Sequence, residues 1–512
     1  MGADQNQKDL FEPIPVSRLA CLSHNVLLEF AELQQKVNEQ MFNEILRLRA
    51  LKEELEEKTF LIEDQYIVLK NVIFGKSSEK EGRPDPDEKE KKDKPPKTKV
   101  QLPSERYPNV PRIERHVEFQ QAPCCKCCSE KLSDSGMTED SEYMTVIPKQ
   151  YVVVQEKRHK YRCEKCHGDI QTPPVPPRIK SGSAYSDDMM LDVAMSKYCD
   201  LIPIQRYVAM AERSDVPDLP QQSLIETTHY VAEFTRPAYD LLLQEAIAET
   251  VLRADETPHR MLEGDKNSNW YLWGFSSTKA AYFEAHDTRS GDVAAAFLEK
   301  SSCAFLMSDV YSGYGKAVRE ANQARLAANK PLIQNVFCNA HSRRRFKEAK
   351  NRFLEEAQFF IDKYKEIYRL EGLTVDKPPE EVLAIRKEMS PHFEDMKMRA
   401  IALTPSFSTK SSMGKALSYF LGNFKELTTF IGFPPIPIDN NSQERLLRNP
   451  VIGRKTWYGT HSKRGAETMA ILFSLVESCK LNKVNPRKYM KALVETLHRG
   501  EKPFTPATFK SH

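Results

Sequence analysis

No apolar run in the sequence approaches the ~20 residues that a membrane-crossing helix requires, which argues against a membrane-embedded chain. The opening residues, "MGADQNQKDLFEPIP", lack the basic-then-apolar layout of a secretion signal. Together these absences predict cytoplasmic residence. Charge of one sign is missing too: 75 Lys and Arg stand against 72 Asp and Glu, a net charge of +3. Any nucleic-acid function must therefore rest on local clusters of Lys and Arg. Cysteine is sparse outside one region, where six of the 11 fall between Cys124 and Cys166. In a reducing compartment, paired CxxC clusters point to metal before disulfide. What the sequence does have is length: 512 residues, enough for roughly three to four domains. An apolar content of 40% and a charged content of 29% fit a soluble globular protein, and the 32 prolines suggest several linkers.

From Val26 to Ile73 the chain contains neither Pro nor Gly. Met41, Leu48, Leu55, Ile62 and Leu69 recur every seven residues with Glu and Lys between them. That pattern predicts one long helix with coiled-coil character. The second apolar row is incomplete, so a helix packed on its own protein competes with self-association. Beyond Gly75, "EKEGRPDPDEKEKKDKPPKTK" has almost nothing to bury and reads as a disordered linker. "TPPVPPRIKSGS" is a stiff spacer. Ser186 to Thr250 reads as helical, broken at "SDVPDLPQQS", where two helices either form a helix-turn-helix or simply pack.

Past Thr250 come short strands: "TVLRA", "NWYLWGFSS", "AAYFEAHD", "CAFLMSD" and "NVFCNAH". The first three follow closely, as in an antiparallel meander. Helical stretches, "SGDVAAAFLEK" and "GYGKAVREANQARLAANK", separate the later ones, giving a mixed α/β sheet. From Arg344 to about Phe430 the pattern is helical and charged, as in an inserted subdomain. "NNSQERLLRNPV" and "GAETMAILFSLVESCKLN" read as two further helices separated by a basic loop, "IGRKTWYGTHSKRG".

Asp255 follows "TVLRA" and Asp309 follows "CAFLM". An acid at the end of a central strand is held rigidly, as a metal site requires. Glu444 is the third acid chosen, on a helix whose opening "DNNS" supplies capping residues. Arg448 lies at i+4, followed by Arg454 and Lys455, a set suited to metal and phosphate together. Plainer readings compete. Asp after a strand often serves a turn, and Glu444 with Arg448 could be an ordinary i,i+4 pair. Glu256, Asp265, Glu467 and Glu477 are rivals that spacing does not exclude. "CNAHSRRRF" places His341 beside Arg343, Arg344 and Arg345 at a helix start, a basic cluster for phosphates or a solvated face. The basic loop, with Arg454, Lys455, Lys463, Arg464 and its aromatics, suits backbone contacts and base stacking.

"CCKCC" offers Cys124 with Cys127 or Cys125 with Cys128, and "CEKC" adds Cys163 and Cys166. Four such thiolates close around a structural Zn²⁺ and leave no open position. The intervening "YMTVIPKQYVVVQEKRHKYR" alternates like a hairpin that would bring the two knuckles together. The Cys125 and Cys128 register is favoured over Cys124 and Cys127.

Five ordered motifs, "ADETP", "SDVYSGY", "CNAHSRRRF", "NNSQERLLRNPVIGRKTWYGT" and "SLVESCKLN", resemble those of bacterial transposases of the insertion sequence 66 family. "VIFGKSSEK" after the long helix, followed by the double CxxC module, looks like that family's amino-terminal half. The resemblance runs from about Leu28 to the final helices. It implies a multidomain α/β chain: a leucine-zipper-like helix over 26–75, a charged linker over 76–103, a zinc-binding module over 104–172 and a helical segment over 184–250. A ribonuclease-H-like, mixed-sheet DDE catalytic domain would span 251–470, with a helical insertion at about 346–430 and a helical segment over 471–512 behind it. Carried over motif by motif, Asp255, Asp309 and Glu444 are the three acids, holding two Mg²⁺ or Mn²⁺ ions, with His341 in support and structural zinc on Cys125, Cys128, Cys163 and Cys166. The resemblance implies DNA as partner, bound by the amino-terminal segments and acted on at terminal inverted repeats and target, while the basic clusters offer Arg343, Arg344, Arg345, Arg448, Arg454, Lys455, Lys463 and Arg464 as phosphate contacts. The heptad row predicts a homo-oligomer and the lack of an apolar span predicts no membrane, with small accessory proteins of the element and nucleoid association in the cytoplasm as further expectations. "CCKCC" departs from the family's simpler CxxC, which leaves the zinc register open, and "KTWYGT" is a slightly different aromatic run. The competing expectation is a non-catalytic, zinc-containing DNA-binding assembly protein; retention of all three acids favours the enzyme.

Overall fold

The computed structural model describes residues 23–74, 102–108, 110–116, 124, 126–129, 131, 141–147, 149–162, 164, 170–262 and 269–510. They divide into two compact units, one drawn from 1–76, 177–203 and 224–512, the other from 77–176 and 204–223. Among the described residues, no helix is long and apolar enough to cross a membrane.

In the smaller unit, β1 (Tyr161–Arg162) pairs antiparallel with β2 (Ile170–Gln171), and Cys124 bridges to Lys131. The hairpin expected across Tyr143–Arg162 is not formed: its described residues carry no ladder before Tyr161. Val146, Ile147, Val152, Val153 and Val154 are exposed. Alternation is not enough to hold a hairpin without an apolar layer to pack against. Cys125, Cys163 and Cys166 lie outside the described residues, as does most of the 76–103 linker, while Cys124, Cys127 and Cys128 are exposed.

In the larger unit, the Pro- and Gly-free run forms the helix His24–Phe74, on which Met41, Leu48, Leu55 and Ile62 are exposed. A five-stranded sheet organises the rest: β3 (Val251–Arg260), β4 (Asn269–Ser276), β5 (Ala281–His286), β6 (Phe305–Ser308) and β7 (Gln334–Phe337). The order is β5-β4-β3-β6-β7. Short connections make β3, β4 and β5 an antiparallel meander, while β6 and β7 join in parallel. Parallel pairing needs crossover elements, and the helices Gly291–Lys300 and Ser312–Ala327 supply them.

Strand alternation sends side chains to two cores. Leu252, Ala254 and Leu306 join one core with the helices Asp187–Tyr198, Gln221–Ile247 and Lys463–Leu481. Phe305, Met307 and Val336 join the other, with Asn339–Ala349, Leu354–Gly372, Ser390–Leu403 and Ser412–Gly422. The helices between 346 and 430 therefore cover the second face of the sheet.

Two sequence expectations change here. The first strand does not stop at Ala254. It continues to Arg260, because β4 pairs with it from Arg253 through Arg260, whereas β6 pairs only Val251–Arg253. Pro258 is tolerated because the flank past Arg253 is left without a ladder partner. The second concerns the basic loop. The helix Asn441–Trp457 runs through Pro450 and "IGRKTW", and the turn is confined to Tyr458–Ser462. Gly459, at φ +144°, allows the turn to meet β3: a Cβ there would lie 2.1 Å from the Arg260 carbonyl oxygen. Thr460 N donates to that oxygen at 3.1 Å.

The two crossover helices meet at glycines, and a Cβ at Gly291 would lie 2.4 Å from the Gly313 carbonyl oxygen. Gly291→Ala should therefore cost about 1–3 kcal/mol as overpacking against backbone. Gly315→Ala, where the nearest atom is Arg319 Nη1 at 3.6 Å, should be neutral or stabilising. Thermal melts of the two variants check this, and equal melting temperatures would refute the close approach.

Candidate active site

The β3–β6 ladder ends at Arg253–Met307. Continued two residues, the same register aligns Asp255 with Asp309, on the face that carries Phe305 and Met307. Asp255 Oδ1 accepts the Glu256 amide at 2.9 Å, and Asp309 Oδ1 accepts the Tyr311 amide at 3.0 Å.

Glu444 reaches this end of the sheet through the segment before its helix. Asn339 N donates to the Ile438 carbonyl at 3.2 Å. Asp439 accepts the Tyr368 hydroxyl at 3.0 Å and the Asn441 amide at 3.1 Å. Asn440 N donates to Cys338 Sγ at 3.2 Å, and its Nδ2 donates to the Ala254 carbonyl at 3.0 Å. The Asn440 side chain therefore makes no helix cap, as "DNNS" suggested, and ties the helix to the strand residue before Asp255. Glu444 Oε1 lies 3.7 Å from His341 Nε2, and Oε2 lies 3.9 Å from Arg344 Nη2.

Burial is the largest cause that pushes the Asp255 carboxyl up to about 8, followed by the charges of Glu256, Asp309 and Glu444. Those four acids therefore share one electrostatic neighbourhood. Glu444 Oε1 is buried without a hydrogen-bond partner. Carboxylate oxygens gathered in this way are the donor type that a hard divalent cation prefers. Beside it, Cys338 Sγ, a His341 ring nitrogen and a Glu444 oxygen lie within 4.8 Å of one another. Burial pushes the Cys338 thiol up to about 12.

Sequence reasoning passed over two neighbours. Glu256, set aside as a rival, has a side chain only 3% exposed. It accepts Arg289 Nε at 2.9 Å, Arg289 Nη2 at 2.7 Å and the Tyr314 hydroxyl at 2.5 Å. As the next residue in an extended strand it points to the opposite face from Asp255. Gln443 is fully buried, with neither amide atom hydrogen-bonded. It lies over Gly274, the β4 partner of Asp255, where a Cβ would sit 2.4 Å from Gln443 Nε2. An isolated glycine inside the "NWYLWGF" strand was the available signal for such a close approach.

The remaining rivals sit elsewhere. Glu467 lies 3.5 Å from Arg236. Glu477 is bonded to Asn449 and Lys480, each at 2.9 Å, and Asp265 is outside the described residues. Of the basic residues, Arg345, Arg448, Lys455 and Lys463 are exposed and Arg343 is half-buried. The Arg345 guanidinium lies 4.4 Å from the Tyr419 ring centroid, and that of Arg343 lies 5.5 Å from the Tyr368 ring. Arg454 is close enough to His259 to help burial push that imidazole down to about 4. Arg464 pairs with Glu226 at 2.9 Å and Glu233 at 2.8 Å.

A family model described as "Transposase IS66 family" matches residues 182–468, more than half of the chain. Three similar proteins come from Sinorhizobium fredii (strain NBRC 101917 / NGR234). "Uncharacterized protein y4hP" is 26% identical over 405 residues, 74% of this chain and 71% of that protein. "Uncharacterized protein y4jD" is 26% identical over 408 residues, 77% and 78% of the two chains. "Uncharacterized protein y4qI" is 25% identical over 410 residues, 77% and 74%.

A carboxyl whose folded pKa is raised keeps its proton at pH values where the unfolded chain has lost it. Its contribution to stability therefore falls as pH rises from about 4 to about 8. Asp255→Asn removes that penalty. With chelator present, the variant should melt above the parent at pH 8 by a margin on the order of a few kcal/mol, shrinking towards pH 4. Added Mn²⁺ should raise the melting temperature of the parent more than that of the variant. A margin that is the same at pH 5 and pH 8 would rule out charge crowding as its cause.

Proposed function

Because this chain belongs to the IS66 family of transposases, we propose that it cuts and joins DNA by DDE chemistry, with Asp255, Asp309 and Glu444 as ligands for magnesium or manganese. The observation that carries this reading is the Asp255 carboxyl, raised first by burial and then by the charges of Glu256, Asp309 and Glu444. The strand order, an antiparallel meander continued by two parallel strands, supports a ribonuclease-H-like core.

Bound divalent cations would neutralise the acids, activate the attacking oxygen and stabilise the leaving one. The protein's own part is positional. The β3–β6 ladder, ending two residues before Asp255 and Asp309, supports bringing the two acids level, and the Asn440 bond to Ala254 ties the start of the Glu444 helix to β3. His341 and Arg344 flank the Glu444 carboxylate and limit how it turns. Water attacks the phosphodiester at the element's end and releases a 3′-hydroxyl, which then attacks target DNA in line.

Exposed Arg345, Arg448, Lys455 and Lys463 suit phosphate contacts. Arg464 is less suited, since two carboxylates already balance its charge. Arg454 fits a role in packing against the end of β3. Zinc on Cys125, Cys128, Cys163 and Cys166 would be structural, since soft thiolates do not suit magnesium. The exposed apolar row of the long helix supports self-association.

Strand transfer with a duplex of the flanking repeat tests the proposal. Asp255→Asn, Asp309→Asn and Glu444→Gln should each lower Mg²⁺-dependent nicking and joining by several orders of magnitude while repeat binding persists. Joining by Asp255→Asn at the parent's rate would refute the assignment and favour a purely DNA-binding protein.

A further inference from the structure

We propose that Cys338, His341 and Glu444 form a second metal site, selective for zinc-like ions, whose occupation withdraws Glu444 from the catalytic set and switches the enzyme off. The inhibition rests on the catalytic reading above; the binding does not.

The three donor atoms come together at one junction. Cys338 is the residue before the helix Asn339–Ala349, His341 lies in its first turn, and Glu444 arrives on the helix tethered through Asn440. Their ligand atoms fall within 4.8 Å of one another. A second observation points to a ligand: Glu444 Oε1 and His341 Nδ1 are both buried and lack hydrogen-bond partners. Leaving buried polar atoms unsatisfied is costly, and an ion would relieve the carboxylate.

The donor chemistry separates this site from its neighbour. Sulfur, imidazole nitrogen and one carboxylate oxygen make up a zinc ligand set, with a fourth position left for water. Magnesium prefers oxygen alone. Zinc would bind with loss of the Cys338 thiol proton to solvent and formation of a Zn–S bond. Glu444 belongs to both sets, and a carboxylate committed beside Cys338 and His341 is lost to Asp255 and Asp309. Occupation of the two sites is then mutually antagonistic.

Cys338→Ser is the informative variant. Serine can take over the Asn440 amide bond and is a favoured residue at a helix start, so the fold and the Mg²⁺-dependent rate should survive. The full-length protein is titrated with Co²⁺, and the thiolate-to-cobalt charge-transfer band is compared between parent and variant; the four-cysteine module contributes equally to both. The parent should show an additional band that Cys338→Ser lacks, and Glu444→Gln should weaken it without touching the cysteine. In Mg²⁺-dependent nicking, the zinc concentration for half-inhibition should rise at least about tenfold in Cys338→Ser. Identical cobalt spectra for parent and Cys338→Ser, or an unweakened band in Glu444→Gln, would overturn the site. Equal zinc inhibition of parent and Cys338→Ser would overturn the switch. Because the cobalt comparison needs no DNA cleavage, it decides the site even if the chain proves unable to cut.

Discussion

Burial of one carboxyl among others at one end of a stiff sheet is the constraint on which the rest of this structure turns. Asp255 is mostly buried beside Glu256, Asp309 and Glu444, and its carboxyl is pushed up to about 8 as a result. In a flexible loop the acids would separate and solvate. Here β4 holds Asp255 from one side, and the β3–β6 ladder ends two residues short of Asp255 and Asp309. The strain is relieved by a proton or by a cation, and the second option is the one that gives such a site a use.

The surrounding elements serve to keep that arrangement in place. Asn440 links three parts of the chain at once, through its own backbone, the Cys338 sulfur and the Ala254 carbonyl. Asn339 adds bonds to the Leu427 and Ile438 carbonyls. This anchors the chain where it leaves the helices that follow Arg344 and begins the Glu444 helix. On the opposite face, Glu256 is held by Arg289 and Tyr314. One acid pair of adjacent residues thus divides its work across the sheet: the Asp255 carboxyl lies among the other acids, and Glu256 ties the strand to the loop before Gly291–Lys300 and to the helix Ser312–Ala327.

Much of this was legible in the sequence, for physical reasons that also mark where legibility ends. The strand runs were readable because aromatic and branched residues clustered between turn signals, and the crossover helices because their apolar spacing differed. The extension of β3 through "DETPHR" was not, since its acids and proline are poor strand residues and only the β4 ladder keeps them extended. The basic "IGRKTW" suggested a loop for the same local reasons, yet burial of Gly453 within it keeps the segment helical. The hairpin expected over Tyr143–Arg162 failed in the other direction: the local pattern was good, but Val146, Ile147, Val152, Val153 and Val154 are left exposed. For the site, each acid was nameable, but the fact that Glu256 turns away from Asp255 and that Gln443 fills the space over Gly274 depends on contacts between residues far apart in the chain.

The central claim is that Asp255, Asp309 and Glu444 are gathered to hold a divalent cation. Anomalous scattering from crystals of the full chain grown with Mn²⁺ and excess chelator-free buffer tests it most directly. The account predicts a manganese peak coordinated by carboxylate oxygens of Asp255 and Asp309, with Glu444 turned towards it. Manganese found only at the surface, with the three carboxylates apart from it, would contradict the account.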